Sequence, residues 1–411
     1  MEPGGGAHTA AGSRAEATKG GVTSGMLVRL GLVLTIIVLL LASVRFARYD
    51  WAPIRLELIP DSVTREVSTD CTEQIGTYIT DDGRIVEPVT VDDEQYMSMV
   101  AMYRGVERAD LQSECIYRPY VSRFAQPWVA SLLPFGEATS LAITNVVLMV
   151  AAVWAMLAAL RAQRVSARTF VVVGTLFAVG WNTLMSSSVI MTDSGILAAM
   201  TFAWWLVASR RLWWALAFVA VAVPIRETVL LMAPVILAAG FAQARVRARS
   251  DGWPAAVRSG FGVFAVACVV IPLVALLAWG QFAPEADASW GSSPRLSLLI
   301  SNALSPSLVA VVIAGFTLFL PALLYLIGRI RSDGWFDAVT EPAAVGFILV
   351  CALCVWVLAS ADLSPRFLWV GFPFAASMTA DWLAQGHLGP LLERLAPERL
   401  VGADDRARAA G

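Results

Sequence analysis

The sequence predicts an all-α polytopic membrane protein with about ten transmembrane helices and a large extracytoplasmic first loop. Three observations carry this. Of 411 residues, 57% are hydrophobic and only 15% charged, with a mean hydropathy of +0.67. The apolar residues fall in blocks of about 15 to 25, the length that crosses a hydrocarbon core of about 30 Å as helix. The arginines cluster after alternate blocks, as expected of loops that stay in the cytoplasm. Backbone groups in lipid must be paired within their own segment, so the blocks are read as helices rather than open strands.

The elements follow in order. Residues 1–25 are rich in Gly, Ala, Ser and Thr and read as a disordered cytoplasmic tail. Residues 26–45 form the first span. Small residues around Ala42 would also suit a signal-peptide cleavage site, but the long polar lead and long apolar run favour a retained anchor. Residues 46–135 are the polar insert, an extracytoplasmic loop expected to carry membrane-surface helices. Residues 136–385 form the multi-helix transmembrane domain, with apolar blocks near 137–160, 169–190, 194–209, 212–225, 227–243, 259–280, 306–328, 341–360 and 367–385. The blocks at 194–225 are short, as broken or re-entrant segments would be. Residues 386–411 are a cytoplasmic tail, and no internal repeat is visible.

Arginine placement orients the chain. Arg161, Arg164 and Arg168 follow the second block, Arg210 and Arg211 the fourth, and Arg245, Arg247, Arg249 and Arg258 the sixth. Arg329 and Arg331 follow the eighth, and the tail carries Arg394, Arg399, Arg406 and Arg408. This places both termini in the cytoplasm of a multi-pass protein of the cell membrane. Asp93, Asp193, Arg226, the 281–305 loop and Arg366 then share the extracytoplasmic face. A net charge of −2 without a long basic run gives no footprint for nucleic acid. The histidines, His8 and His387, lie near the two termini and are not placed for catalysis, so acid–base work falls to carboxylates. Cys71 and Cys115 lie in the insert, where an extracytoplasmic location permits a disulfide, and the sequence leaves their pairing open. Cys351-x-x-Cys354 has metal-ligand spacing, but no second pair or histidine accompanies it, which favours buried structural thiols.

Polar residues at the ends of the spans are the candidates for chemistry. Asp92, Asp93 and Glu94 repel one another, which raises the proton affinity of the least solvated. Such a carboxylate can act as a general base on a hydroxyl, whereas a solvated acidic loop is the plain alternative. The half-apolar Gln95–Met102 stretch that follows reads as helix able to lie at a bilayer surface. Arg118 and Arg123, set among aromatics before the second span, suit either phosphate recognition by a planar fork or interfacial anchoring. Thr192 and Asp193 open a span, where either can cap the helix. Arg226 and Glu227 lie between apolar blocks, where charge is expensive. They mark a functional site, or a structural pair with each other at a bend made by Pro224. Arg366 precedes the last span as a further phosphate candidate or an interfacial anchor.

Together these residues resemble a known group. Asp93-Glu94-Gln95-Tyr96, the segment from Tyr117 to Pro127, Thr192-Asp193, Arg226-Glu227-Thr228 and Arg366-Phe367 resemble, in order and rough spacing over residues 26–385, the motifs of polytopic bacterial membrane glycosyltransferases of the GT-C superfamily. The group meant is a poorly characterised set associated with cell-surface glycans. Glu94 stands where the group's motif has glycine, Tyr96 follows Gln95 directly, and the 46–90 insert is long for the group. Alignment on Gln95 selects Asp93 as the motif aspartate.

The resemblance implies an enzyme that moves a sugar, with inversion, from a polyprenyl-phosphate donor to a glycan or lipid acceptor on the extracytoplasmic face. It implies Asp93 as the base and Arg226, Arg366 and Arg123 as holders of the lipid phosphate, with Asp193 orienting a substrate. Asp92, Glu94, Gln95, Tyr96, Arg118 and Glu227 complete the substrate-binding set. No cofactor is required, and a divalent metal near the first-loop acids is left open. A transporter or lipid flippase would instead carry charges in the middle of its spans, along a path. A non-catalytic subunit of a cell-envelope assembly would use the insert as its interaction module.

Overall fold

A computed structural model describes residues 22–49, 64–65, 78–79, 85–86, 92–107, 111, 116–118, 120–180, 192–286, 288–289, 296–304, 306–360 and 365–385. These residues are overwhelmingly helical. The first helix, α1 (Ser24–Tyr49), is followed by short strands β1 (Thr64–Arg65), β2 (Tyr78–Ile79) and β3 (Ile85–Val86), paired antiparallel in that order. Then come α2 (Asp92–Tyr103), β4 (Tyr117–Arg118), a 3₁₀ turn at Tyr120–Arg123, and α3 (Ala125–Ser131). The main assembly contains α4 (Glu137–Ala162), α5 (Ala167–Val179), α6 (Asp193–Ala208), α7 (Leu212–Ala222), a 3₁₀ turn at Glu227–Leu231, α8 (Met232–Asp251), α9 (Trp253–Ala256) and α10 (Gly262–Gly280). After β5 (Ala288–Ser289) it continues with α11 (Leu296–Leu304), α12 (Pro306–Phe316), α13 (Phe319–Asp333), α14 (Trp335–Val339), α15 (Pro342–Ser360), a 3₁₀ turn at Pro365–Gly371 and α16 (Phe372–Ala384).

Among the described residues, five helical segments are long and apolar enough to cross a membrane: Ser24–Val44, Glu137–Ala162, Glu227–Ser250, Gly262–Gly280 and Pro342–Ser360. The all-α membrane class expected from composition therefore holds. The helix α10 makes the point physically. It leaves Val263, Val266, Leu273 and Leu277 exposed along one segment, an apolar surface suited to lipid and costly in water. The helices α5, α6 and α7 are apolar but shorter. For α5, the rest of the expected block, residues 181–190, lies outside the described residues. The expected block at 306–328 divides into α12 and α13. Pro321 has no N–H to offer the Thr317 carbonyl, so the helix stops at Thr317–Leu318 and restarts, with the Ala322 N–H donating to the Leu318 carbonyl at 3.2 Å.

The main core is a large apolar cluster running from α1 to α16, with two smaller clusters around α2 and β4. Its most extensive pairing is α4 on α6, and both helices carry buried alanines, Ala152 and Ala159 on the first and Ala199 and Ala203 on the second. Close approach recurs where α1 meets α4. A Cβ on Gly31 would stand 2.7 Å from the Trp154 ring, and the Trp154 indole donates to Thr35 Oγ1 at 3.0 Å.

Three contacts fix which helix ends lie together. Arg161, at the end of α4, donates to Ser24 Oγ at the start of α1 at 2.9 Å. Phe372 packs on Phe177 near the far end of α5, whereas Ser377 accepts from Gln163 just beyond α4, so α16 runs back toward the Ser24 end. The described chain thus enters and leaves the helical assembly at the same end. Cys71 and Cys115 lie outside the described residues, and Cys268, Cys351 and Cys354 are free thiols.

Candidate functional site

The other end of the assembly gathers most of the sequence candidates. In α2, Asp92, Asp93 and Glu94 make the first turn, where acids suit the positive end of the helix dipole. Their side chains lie outside the described residues. Helical register puts positions 92 and 93 one turn before Tyr96 and on its face of the helix. The next residues anchor α2. The Gln95 Oε1 accepts the Tyr117 N–H at 3.1 Å, while Tyr96, Met99 and Val100 are buried against β4, the Tyr120–Arg123 turn and α4. The helix is thus held by protein contacts on the face that carries Tyr96.

Tyr96 is the hub. Its hydroxyl accepts from Thr192 Oγ1 at 3.1 Å and from Arg123 Nη1 at 3.5 Å. Its ring meets Tyr120 edge-on at 5.5 Å, and the Arg123 guanidinium lies 5.9 Å from the Tyr120 ring centre. Thr192 precedes α6 but makes no capping bond with its side chain, so the capping role expected of it gives way to the bond with Tyr96.

Two ion pairs complete the cluster. Arg226 and Glu227 are neighbours in sequence but turn to different partners. Arg226 Nη1 donates to Asp193 at 2.6 Å. Glu227 takes a two-point contact from Arg123, at 2.8 Å through Nη2 and 3.2 Å through Nε. The structure therefore replaces the simple Arg226–Glu227 pair, one reading of the sequence, with two cross-chain pairs. Burial opposes the charge on Arg123, but the Tyr96 oxygen and the Glu227 carboxylate outweigh it and hold its pKa above the ordinary guanidinium value.

The backbone explains the split. Val223–Ile225 turns after α7, Arg226 is extended, and Glu227 opens the 3₁₀ turn, so successive side chains diverge. The Pro224 carbonyl accepts the Ala125 N–H at 3.1 Å, which ties this turn to the start of α3. Gly195 lets α6 approach. A Cβ there would stand 2.3 Å from Gln126 Oε1 and 2.8 Å from Ile225 Cγ2, so a side chain would push Asp193 away from Arg226. Behind it, Gln126 Nε2 donates to Asn145 inside the core.

Not every candidate joins. Arg118 is exposed on β4 and belongs to neither ion pair. Its strand runs parallel to β5, with Arg118 opposite Ser289, which brings the 281–305 loop to this end. Arg366 opens the Pro365–Gly371 turn, and its side chain lies outside the described residues. The acids and arginines that do meet leave donors unmet. Arg226 Nε and Thr228 Oγ1 are buried without a hydrogen-bond partner among the described residues. Such orphans are rare in native interiors, and here one of them belongs to the Arg226 guanidinium itself. Among the described residues no three His, Cys, Asp or Glu side chains converge as metal ligands, which leaves positions 92–94 untested.

Sequence reading missed several contributors. Tyr120 stacks beneath Arg123, Gln126 and Asn145 pair in the core, and Gly195 sets the approach. A polar amide inside each of two apolar stretches was the available signal for the Gln126–Asn145 pair. Arg104 was also missed. It donates to Glu137 at 3.0 Å, Ser140 at 2.9 Å and the Leu133 carbonyl at 2.8 Å, clamping the end of α2 onto the start of α4. Two cavities, of 620 and 400 Å³, open at the opposite end and include none of the site residues.

The chain matches no protein-family model, no curated protein and no solved structure.

Proposed function

We propose that this protein is an inverting membrane glycosyltransferase. It moves a sugar from a polyprenyl-phosphate donor to a cell-envelope glycan or lipid acceptor. In this reading it is a multi-pass protein of the cell membrane with about ten spans and cytoplasmic termini. The Tyr96–Arg123–Asp193–Arg226–Glu227 end then faces outward. The single observation that carries the reading is Arg226, a largely buried guanidinium held to Asp193 through one nitrogen, with its buried Nε–H unmatched among the described residues. An anionic group arriving there finds an oriented donor already desolvated, the arrangement that stabilises a leaving phosphate.

In the proposed reaction Asp93 accepts the proton of the acceptor hydroxyl. The acceptor oxygen bonds to the anomeric carbon from the face opposite the phosphate. The bond from that carbon to the phosphate oxygen breaks, and polyprenyl phosphate leaves with the electron pair, held by Arg226 with Arg123 and Arg366. Asp193 fixes the Arg226 plane, and Glu227 does the same for Arg123. Asp92, Glu94, Gln95, Tyr96 and Arg118 line the approach, and the acids of α2's first turn can take a divalent metal without the mechanism requiring one.

A transporter or flippase would need charge along the length of its helices. The described pairs instead lie at element ends: Asp193 begins α6, and Arg226 and Glu227 precede α8. The test is turnover by purified full-length protein of a panel of polyprenyl-phosphate sugars with glycan and lipid acceptors. Release of polyprenyl phosphate by the wild type and its loss in Asp93→Asn are expected. Undiminished turnover in Asp93→Asn rejects the base. No turnover of any donor, with donor flipped across proteoliposomes instead, rejects the enzyme in favour of transport.

A further inference from the structure

At the end away from that site, α4 and α6 finish in the same way. After Gln163 and Ser209, the next residue in each chain is an arginine with positive φ, 59° at Arg164 and 60° at Arg210. Among the described residues these are the only non-glycine positions with positive φ. The hydrogen bonding is duplicated as well. The Arg164 and Arg210 N–H groups donate to the Arg161 and Val207 carbonyls at 3.0 and 2.9 Å. The following N–H groups, of Val165 and Arg211, reach back to Leu160 and Leu206 at 3.5 and 2.8 Å. This is the six-residue closure that normally places glycine or asparagine at the left-handed position, because a Cβ there crowds the backbone. Arginine holds that position in both turns.

Both arginines line one cavity. It has a volume of 620 Å³ and is bounded by Ala162, Gln163 and Arg164 from one turn and Ala208, Ser209 and Arg210 from the other. Both guanidinium side chains are exposed, and neither has an ion-pair partner among the described residues. No acid lines the cavity among the described residues. The nearest along α16 is Asp381, one turn beyond the Ser377 that accepts from Gln163 and Trp204 at 2.9 and 2.7 Å. The second cavity at this end is different in kind. Its Arg245 pairs with Asp337 and its Arg329 with Asp333 and Glu341, so its charge is largely matched from within.

A left-handed arginine pair that flanks one unneutralised cavity is more than helix capping requires. We propose that the Arg164–Arg210 cavity is a binding site for a phosphate-bearing group, with the headgroup of an anionic phospholipid as the source the geometry favours. Planar guanidinium forks suit phosphate oxygens, and a basic pocket between helix ends at a membrane surface meets headgroups directly. The hydroxyl of Ser209 adds a neutral donor on the same rim, whereas the Gln163 amide nitrogen is committed to Ser377. The site is independent of the glycosyl-transfer reading.

The backbone supplies a clean test. Glycine and asparagine both accept positive φ, so R164G/R210G and R164N/R210N remove the charges while suiting the turns. Full-length wild type and both double variants would be examined in detergent by native mass spectrometry and thermal unfolding. The probes are phosphatidylglycerol, phosphatidylcholine and inorganic phosphate. The wild type should bind phosphatidylglycerol and unfold at a higher temperature with it, with no comparable effect from phosphatidylcholine. Both variants should fold, and each should bind it roughly 100-fold more weakly, about tenfold per lost charge-assisted contact. Protection by inorganic phosphate, lost in the variants, would support the phosphate site with a soluble source instead. Equal binding by wild type and variants, or no response of the wild type to either phosphate probe, overturns the proposal. Failure of both variants to fold also overturns it, since the arginine side chains would then be holding the turns.

Discussion

The Asp193–Arg226 contact offers the sharpest stability prediction. Asp193 is 6% exposed and Arg226 12%, with nitrogen and oxygen 2.6 Å apart, so each charge relies on the other more than on water. Breaking such a pair from one side costs about 3–5 kcal/mol, because the survivor stays buried and uncompensated. The two sides are not equal. Removing Arg226 leaves Asp193 in the first turn of α6, where the helix dipole restores about 1 kcal/mol. Removing the Asp193 charge leaves a guanidinium that gains nothing from that dipole and keeps only the weaker pull of Glu227. Asp193→Asn should therefore destabilise by about 3–4 kcal/mol and Arg226→Met by about 2–3 kcal/mol. The double variant should lose less than the sum by at least about 2 kcal/mol, since neither charge remains to be stranded. Thermal unfolding of purified protein in detergent reads this as a drop of roughly 3–8 °C for Asp193→Asn, at about 1–2 °C per kcal/mol for a chain this long. Additive losses in the double variant, or an Asp193→Asn protein that unfolds with the wild type, would show that the two side chains are uncoupled.

Other outcomes follow from the same geometry. Gly195→Ala puts a Cβ where Gln126 and Ile225 already stand, so it should destabilise by about 1–3 kcal/mol and reduce any donor turnover, both measurable on one preparation. Tyr96→Phe removes the oxygen that accepts from Thr192 and Arg123, and should cost about 1–2 kcal/mol. Thr192→Val combined with it should add little, since that bond is already gone, and a full second loss by thermal unfolding would contradict the hub role. At the opposite end, the hydrogen bond from Arg245 holds the Asp337 carboxyl below the ordinary carboxylate range. A lowered folded-state pKa means the folded protein resists protonation. The contribution is present above the ordinary value near 4 and lost as pH falls through the folded value. Asp337→Asn should accordingly flatten the acid side of a stability–pH profile and leave its slope above pH 6 unchanged.

How much of this was legible in the sequence depends on the kind of interaction. Apolar blocks report helices because lipid leaves the backbone no other partner, and among the described residues most of the blocks are helical, with five segments long enough to cross a membrane. Asp193, Arg226 and Glu227 stood out because charge beside apolar sequence needs a reason. Their pairing was not readable. The partners lie 33 and 104 residues apart, and nothing local tells Arg226 to choose Asp193 over its neighbour Glu227. Arg118 and Arg123 looked alike for the same reason. A strand leaves the first exposed, while a 3₁₀ turn carries the second toward Glu227. Hydropathy ran straight through the break at Thr317–Leu318, although Pro321 carried the signal. Arg164 and Arg210 read only as inside-facing charge, because residue statistics assign their backbone conformation to glycine and asparagine.

The account rests on the arginine end holding a lipid phosphate while Asp93 serves the chemistry. Equilibrium binding of labelled polyprenyl phosphate to purified full-length protein separates those roles. The wild type and Asp93→Asn should bind with similar affinity, and Arg226→Gln at least about tenfold more weakly, the loss of one charge-assisted contact. Wild-type affinity in Arg226→Gln, or an equal loss in Asp93→Asn and Arg226→Gln, would contradict it.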